Sequence, residues 1–298
     1  MTTLKQSNFY NLPISERERV ASKCVCCGSD QLKSSPAILM PFIADRVFGW
    51  KPVSIDKSWG LKSIKTGFVY SVCNSLFCVE CSLLFLDIRF SDSELKKLYT
   101  NYREKEYVDL RDFYEPGYRE RNNALTLGIS YIDKIEKFLQ PFLPISPRVL
   151  DWGGGTGLNT PFKEKNKSFD IYEIGENTLI PGAQLISKTE VMNKCYDLIV
   201  LSNVLEHAPY PMELLLDIKK LLQGETVLYI EVPLEDIMKS QITDPQNLKR
   251  HWHEHINFFS ETSLIRLINR CGLKLLSRNQ LRASAGGAST YLLQIACQ

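Results

Sequence analysis

The hydrophobic pattern changes character along the chain. Up to residue 90 the apolar stretches are short, as in AILMPFI and FVYSV, and turn formers and charges separate them. That spacing predicts a small domain of short strands and loops. Ser91-Asp92-Ser93-Glu94 then offers a cap and first-turn acids before LKKLY, so a helix is predicted to start there. Residues 101–118 mix aromatic and charged groups and read as a connector over the next domain. Ala124, Leu127, Ile132, Ile135 and Leu139 recur at helical spacing and predict one long helix over 119–139. PFLPISP, with three prolines in seven residues, ends it.

Beyond residue 146 the pattern is strand, loop, strand, helix. RVLDW, FDIYEI, YDLIVLS and TVLYIEV are short apolar runs, and PMELLLDIKKLL is an amphipathic helix. Another helix is predicted over about 261–271, then strands near 273–279 and 289–297. The last two, joined by RASAGGA, form an antiparallel edge hairpin in this reading. Strands alternating with helices predict an α/β fold with a doubly wound, Rossmann-like sheet. The chain thus divides into a small N-terminal domain at 1–90, a helical connector at 91–145, and an α/β domain at 146–298.

Composition narrows the class. The 298 residues are 44% hydrophobic and 23% charged, which suits a globular chain and excludes disordered and collagen-like ones. A net charge of +2 argues against a protein built to coat nucleic acid or anionic membrane. No run approaches a membrane span, and MTTLKQSNFYNLPISERER lacks a signal-peptide core, so the expected setting is soluble, reducing and cytoplasmic. Nine cysteines are the skewed count, and six fall at or before Cys81. In a reducing compartment such a cluster points to metal or chemistry rather than disulfides.

The sharpest motif is RVLDWGGGTGLNT. Gly153, Gly155 and Gly157 follow a strand directly, where glycine lets the backbone turn tightly and approach a ligand. The spacing is wrong for the dinucleotide fingerprint, and Asp151 at the strand end would repel a phosphate while tolerating a cation. Glu173, about twenty residues on, ends the next strand, where a carboxylate suits a ribose diol. Together these fit S-adenosylmethionine, a sulfonium cation with a ribose and no phosphate.

RVLDWGGGTG, Glu173, YDLIVLSNVLEHAPYP and TVLYIEVP resemble the class I S-adenosylmethionine-dependent methyltransferases over about residues 120–298. The resemblance implies that Asp151, Gly153 and Gly155 contact the methionine part of the cofactor and that Glu173 contacts its ribose. Asn203 then lies at a strand end facing the cofactor, and Ser187 is the candidate on the adenine side. The IGENTLIPGA linker departs from the family, being too short and too broken by proline for its usual helix.

Cys24-Val25-Cys26-Cys27-Gly28 and Cys78-Val79-Glu80-Cys81 each contain a CxxC. Cys24, Cys27, Cys78 and Cys81 can place four thiolates round a structural Zn²⁺ with no open position. Buried unligated thiols are the alternative, and Cys26 and Cys73 complicate the ligand choice. Residues 1–90 carry 11 Lys/Arg against 7 Asp/Glu, a mild excess that weakens the competing nucleic-acid reading.

Three of the four histidines fall in HWHEHINFFS, and His207 is the fourth, in NVLEHAPYP. The spacing matches no metal motif well, so acid–base work by His255, Glu254 and His207 is the functional reading. A solvated loop capping a helix at Ser260 is the structural one. A zinc domain ahead of this fold resembles the sugar C-methyltransferases, which act on nucleotide-linked keto sugars. That resemblance implies a small-molecule acceptor, namely a sugar nucleotide, and a base that makes an enolate for methylation. Their YxEH segment matches Glu254-His255, but Trp252 stands at the tyrosine position. Tyr114 and Tyr118 are candidates to reach the site, and Gly286-Gly287 could allow close approach of the acceptor or form a hairpin turn. An O- or N-methyltransferase on another small metabolite or a finished glycan, and a non-catalytic zinc-bearing interaction protein, are the rivals.

Overall fold

The computed structural model describes residues 18–298 apart from 61–64, 126, 167, 176–177, 240–241 and 286–287. The N-terminal part is built as the short apolar runs predict. Strand β1 (Leu32–Leu39) leads into helix α1 (Pro41–Phe48), and a hairpin follows from β2 (Val53–Ile55) and β3 (Gly67–Val69). Strands β4 (Val72–Cys78) and β5 (Leu84–Leu86) complete an antiparallel β1-β4-β5 unit. Helix α2 (Asp92–Tyr99) starts at the expected cap. The Ser91 hydroxyl accepts from the Glu94 amide, and the Glu94 carboxylate accepts from the Ser91 amide.

The connector differs from expectation. Residues Lys105–Tyr114 form helix α3, which buries Tyr107, Val108 and Arg111. The single long helix is instead two, α4 (Tyr118–Leu125) and α5 (Ile132–Leu139). Gly128 sits between them at φ +82°, outside helical space, and the Ile129 amide donates to Asn159 Oδ1 at 3.0 Å. The apolar spacing continued through 119–139, but the left-handed glycine interrupts the backbone ladder.

The α/β part runs β6 (Val149–Trp152), β7 (Phe169–Tyr172), β8 (Ala183–Leu185), α6 (Lys188–Val191), β9 (Leu198–Ser202), α7 (Pro211–Lys219) and β10 (Val227–Pro233). Short helices α8 (Asp236–Lys239) and α9 (Pro245–Leu248) and strands β11 (His251–Trp252) and β12 (Asn257–Phe258) follow. Helix α10 (Glu261–Arg270) and the hairpin β13 (Leu275–Ala285) and β14 (Ala288–Cys297) close the chain. Ser260 caps α10 as read from the sequence.

The seven strands lie in the order β8-β7-β6-β9-β10-β14-β13. The first five are parallel, and β14 runs antiparallel to both neighbours. This is the expected doubly wound Rossmann-like sheet with its edge hairpin. The central strands read as unbroken apolar runs because both faces are covered, and β6 and most of β9 and β10 are buried. The strand order reverses between β6 and β9, and their carboxyl ends are where open α/β sheets form a ligand crevice. No helix stands between β7 and β8 among the described residues, as the short linker implied.

The chain returns to its N-terminal sheet after β10. Strand β11 pairs in parallel with β1, and β12 pairs antiparallel with β5, so the HWHEH segment completes that sheet. The cysteine knuckles in turn pack into one core with the α10 side of the α/β sheet, alongside Leu264, Leu267 and Cys271.

Candidate functional site

The crevice begins at Asp151. Its carboxylate is buried and accepts from the Thr160 hydroxyl at 2.5 Å. Burial pushes it up to about 7, and the nearby Glu173 adds to the rise against the Thr160 hydrogen bond. A carboxylate held at that cost favours a cationic ligand. The glycine run is dictated by space: a Cβ on Gly153 would lie 2.7 Å from Val204 Cγ2, and one on Gly154 would lie 2.6 Å from Asp151 Cγ. Gly153, Gly155 and Gly157 all have positive φ, and a Cβ on Gly155 would meet nothing within 4 Å, so that position faces open space. Gly154 was missed by the GxGxG spacing, although the three consecutive glycines were its signal.

Glu173 stands across the loop. It accepts from the amides of Gly155 (2.9 Å), Ile174 (2.8 Å) and Gly175 (3.1 Å), and so pins the glycine turn to the end of β7. Asn203, at the end of β9, has φ +54° and donates its amide to the Glu231 carbonyl at 2.8 Å. Ser187, past β8, spends its hydroxyl on the cap of α6, paired with Glu190. Asp151, the glycines, Glu173 and Asn203 therefore all lie at or just past the carboxyl ends of β6, β7 and β9, and Ser187 follows β8.

Sequence reasoning missed Glu231, which is fully buried under this crevice. Its carboxylate accepts from Ser202 Oγ (2.9 Å) and Tyr131 Oη (3.2 Å) on one oxygen. Tyr229 Oη (2.7 Å) and Gln294 Nε2 (2.9 Å) donate to the other. With Asn203 Nδ2 at 3.4 Å from the first oxygen, five donors satisfy the buried carboxylate and lock β9, β10, β14 and the start of α5 together.

Beside the crevice, two Glu-His pairs meet. His207 follows β9, and its ring lies 4.7 Å from that of His255, nearly perpendicular; His253 lies 4.8 Å from His255. His207 Nδ1 is 2.9 Å from the Glu254 carbonyl, and His255 Nδ1 is 3.1 Å from Glu235 Oε1. Burial drives His207 down to about 3, with the His255 charge adding to the fall, so its ring is neutral and its Nδ1–H donates to the carbonyl. Burial also opposes charge on His255, but the Glu235 hydrogen bond and the acidic neighbours Glu206 and Glu254 outweigh it and raise that ring. Glu206 is buried, and neither carboxylate oxygen has a hydrogen-bond partner among the described residues. Burial lifts it to about 7.

The Glu254 carboxylate is engaged elsewhere. It makes a two-pronged pair with buried Arg111, at 2.7 and 3.0 Å, and lies 3.4 Å from His253 Nδ1. Burial opposes its charge, but His253 and Arg111 hold it well below the usual carboxylate range. What Glu254 brings to His207 is its backbone carbonyl. Trp252 is fully buried, and its Nε1–H donates to Ser75 Oγ at 2.8 Å, inside the N-terminal sheet. Tyr114 donates to Asp45 at 2.8 Å, and Tyr118 lies under the Arg111 guanidinium at 4.2 Å. The tyrosine nearest the histidines is one the sequence did not flag. Tyr99 lies 5.8 Å from His207, its hydroxyl buried without a partner among the described residues. Gly286 and Gly287 lie outside the described residues.

The four knuckle cysteines converge as predicted. Cys24 and Cys81 sulfurs are 3.5 Å apart, as are those of Cys27 and Cys78, and all four lie within 4.8 Å of one another. A tetrahedral ion with Zn–S near ~2.3 Å needs sulfurs about 3.8 Å apart, so the set fits such an ion and is too open for disulfides. Gly28, at φ +73°, donates its amide to the Cys24 carbonyl at 2.8 Å and closes the first knuckle. The Cys26 thiol instead donates to the Ser263 carbonyl at 3.0 Å, tying the knuckle to α10, and Cys73 lies in the separate N-terminal core.

Comparison with known proteins adds the family. Among solved structures the chain is similar to the glycopeptide N-methyltransferase MtfA with sinefungin. The identity is 13%, the coverage 56% of this chain and 92% of that one, and the TM-score 0.43. It is similar to the Burkholderia thailandensis 1,6-didemethyltoxoflavin-N1-methyltransferase with bound S-adenosylhomocysteine (14%, 73% and 96%, TM-score 0.47). It is also similar to magnesium protoporphyrin IX methyltransferase from Synechocystis PCC 6803 (11%, 69% and 99%, TM-score 0.42). No curated protein matches. A methyltransferase-domain family matches residues 118–278, more than half of the chain and the whole stretch from the glycine loop through β10. The chain belongs to that methyltransferase-domain family.

Proposed function

We propose that this S-adenosylmethionine-dependent methyltransferase acts on a sugar, in the first instance a nucleotide-linked one, and that a structural Zn²⁺ sits in its cysteine knuckles. When bound, the cofactor supplies an electrophilic methyl group on a sulfonium sulfur. Asp151 meets its positive charge, Glu173 offers a carboxylate to its ribose, and the Gly153–Gly157 turn leaves room for its backbone side. Asn203 borders it at the end of β9, and Ser187 stands toward its adenine.

The observation that carries the acceptor reading is the meeting of Glu206-His207 with Glu254-His255 beside this crevice. Histidines, carboxylates and the Tyr99 ring make a polar and aromatic wall of the kind a polyhydroxylated acceptor needs. His255, steadied by Glu235, takes the proton from the reacting acceptor atom, and His207 is oriented by the Glu254 carbonyl. Glu254 acts here through its backbone and through the Arg111 pair that fixes it. The resemblance to sugar C-methyltransferases supports a sugar. The burial of Trp252 in the N-terminal sheet favours a second reading for the methylated atom, a sugar hydroxyl. No hydroxyl stands at that position to hold an enolate oxygen.

The Zn²⁺ reading is supported by four buried sulfurs within 4.8 Å of one another and by the small core around them. Its role is to hold the N-terminal sheet against α10. Among the described residues no helix is long and apolar enough to cross a membrane. The test of the acceptor is a panel of nucleotide sugars with methyl-labelled cofactor, followed by locating the label. Label on a sugar carbon or oxygen supports the proposal. Label entering only amines or non-sugar metabolites overturns it.

A further inference from the structure

Glu206 poses a problem that acid–base catalysis leaves open. Its side chain is about as buried as any polar group in the protein, yet neither oxygen has a hydrogen-bond partner among the described residues. Folding removes both oxygens from water without replacement, which is costly unless something else occupies the space. Two imidazoles stand close by. His207 Nε2 is 4.0 Å from Glu206 Oε1, too long for a hydrogen bond. One donor atom from each of Glu206, His207 and His255 falls within 4.8 Å of the others. Adjacent ligands about 2.1 Å from a common ion stand about 3.0–3.4 Å apart, so a bound ion would draw these three groups slightly closer together.

We infer that Glu206, His207 and His255 form a binding site for one divalent first-row transition cation. The outer contacts are those a metal site uses. His207 Nδ1–H is fixed by the Glu254 carbonyl, which leaves Nε2, the nitrogen facing Glu206, with its lone pair. His255 Nδ1 is held by the Glu235 carboxylate, which leaves its Nε2 to coordinate. A backbone carbonyl and a carboxylate are the usual partners that orient ligating histidines. The backbone is fixed too: the Glu206 carbonyl accepts from the amides of Ile256 and Asn257, joining the two ligand-bearing segments directly.

Two imidazoles and one carboxylate suit Zn²⁺, Mn²⁺ or Fe²⁺ and leave coordination positions open. Open positions beside the cofactor crevice would take hydroxyl oxygens of the acceptor, and a bound cation makes such a hydroxyl easier to ionise. With His255 a ligand, the cation would take over the activation of the acceptor, whose hydroxyl proton would pass to solvent as the methyl group leaves the sulfonium sulfur. The inference rests on the acceptor-site reading for its purpose, but not for its test.

The test uses the full chain and Mn²⁺, a hard ion that avoids thiolates and so leaves the cysteine site out of the measurement. Electron paramagnetic resonance titration is expected to show one bound Mn²⁺ per chain, with no acceptor present. Glu206→Gln should weaken it by more than about 100-fold, and Glu235→Gln, which alters only the support of His255, by about 10- to 100-fold. S-adenosylmethionine affinity, measured on the same samples, reports that each variant is folded. Wild-type protein that binds the cofactor but no Mn²⁺, or a folded Glu206→Gln that binds Mn²⁺ like wild type, overturns the inference. Mn²⁺ binding without turnover of any sugar overturns the acceptor reading and leaves the cation site standing.

Discussion

Replacing Asp151 by Asn should make the protein more stable at pH 8 and nearly unable to bind its cofactor. The reasoning starts from burial. The carboxyl is pushed from 3.8 to about 7 by loss of water, with only the Thr160 hydroxyl in compensation. At about 1.36 kcal/mol per tenfold change in proton affinity, that difference is worth roughly 4 kcal/mol. The folded acid keeps its proton to higher pH than the unfolded one, so folding binds protons between 3.8 and about 7. Stability therefore falls as pH rises through that window, and the loss is complete above about 7. The amide of the Asp151→Asn variant would keep the shape and an oxygen for Thr160 without carrying charge. Urea denaturation at pH 5 and pH 8 should show the wild type losing a few kcal/mol more than Asp151→Asn on going to the higher pH. Titration calorimetry of S-adenosylmethionine should show the opposite order, with wild-type affinity rising toward pH 7 and the variant weaker by about 100-fold, since a buried charge partner is lost. An Asp151→Asn protein that is less stable than wild type at pH 8, or that binds the cofactor equally well, would refute the argument.

Other substitutions probe other parts of the site. Gly153→Ala adds a methyl 2.7 Å from Val204 Cγ2 at φ +80°, and should cost about 2–4 kcal/mol in denaturant midpoint while weakening cofactor binding. Glu254→Ala leaves buried Arg111 with Glu115 as its remaining ion-pair partner among the described residues. A stability loss of about 3–5 kcal/mol by urea denaturation is expected, well above that of an exposed pair. Cys81→Ser should remove the zinc proposed for the knuckles, read by mass spectrometry of the native protein as one zinc fewer than wild type, and lower the melting temperature. A wild-type chain free of zinc after metal-replete purification would show the knuckle reading wrong.

The glycine-loop half of the candidate site was legible because it is local. Asp151, the glycines and Glu173 lie within one strand–loop–strand unit, and their residue types are dictated by sterics and charge at that spot. The doubly wound sheet and its edge hairpin followed from the same alternation. The acceptor half was only partly legible. The two Glu-His pairs could be seen, but their meeting depends on β11 and β12 crossing back to the N-terminal sheet. Short two-residue strands leave no period in a sequence. Glu231, Glu235 and Tyr99 gave no signal either, because each matters only through partners far along the chain. The long helix misled for the converse reason: its apolar spacing persists across Gly128, while one left-handed residue breaks the backbone.

The most direct test of the account is equilibrium binding of labelled S-adenosylmethionine to the intact chain, with Asp151→Asn alongside. The account predicts one site per wild-type chain, saturable and displaced by S-adenosylhomocysteine, and severely weakened in the variant. A folded wild-type protein with no saturable binding, or binding indifferent to Asp151, would contradict it.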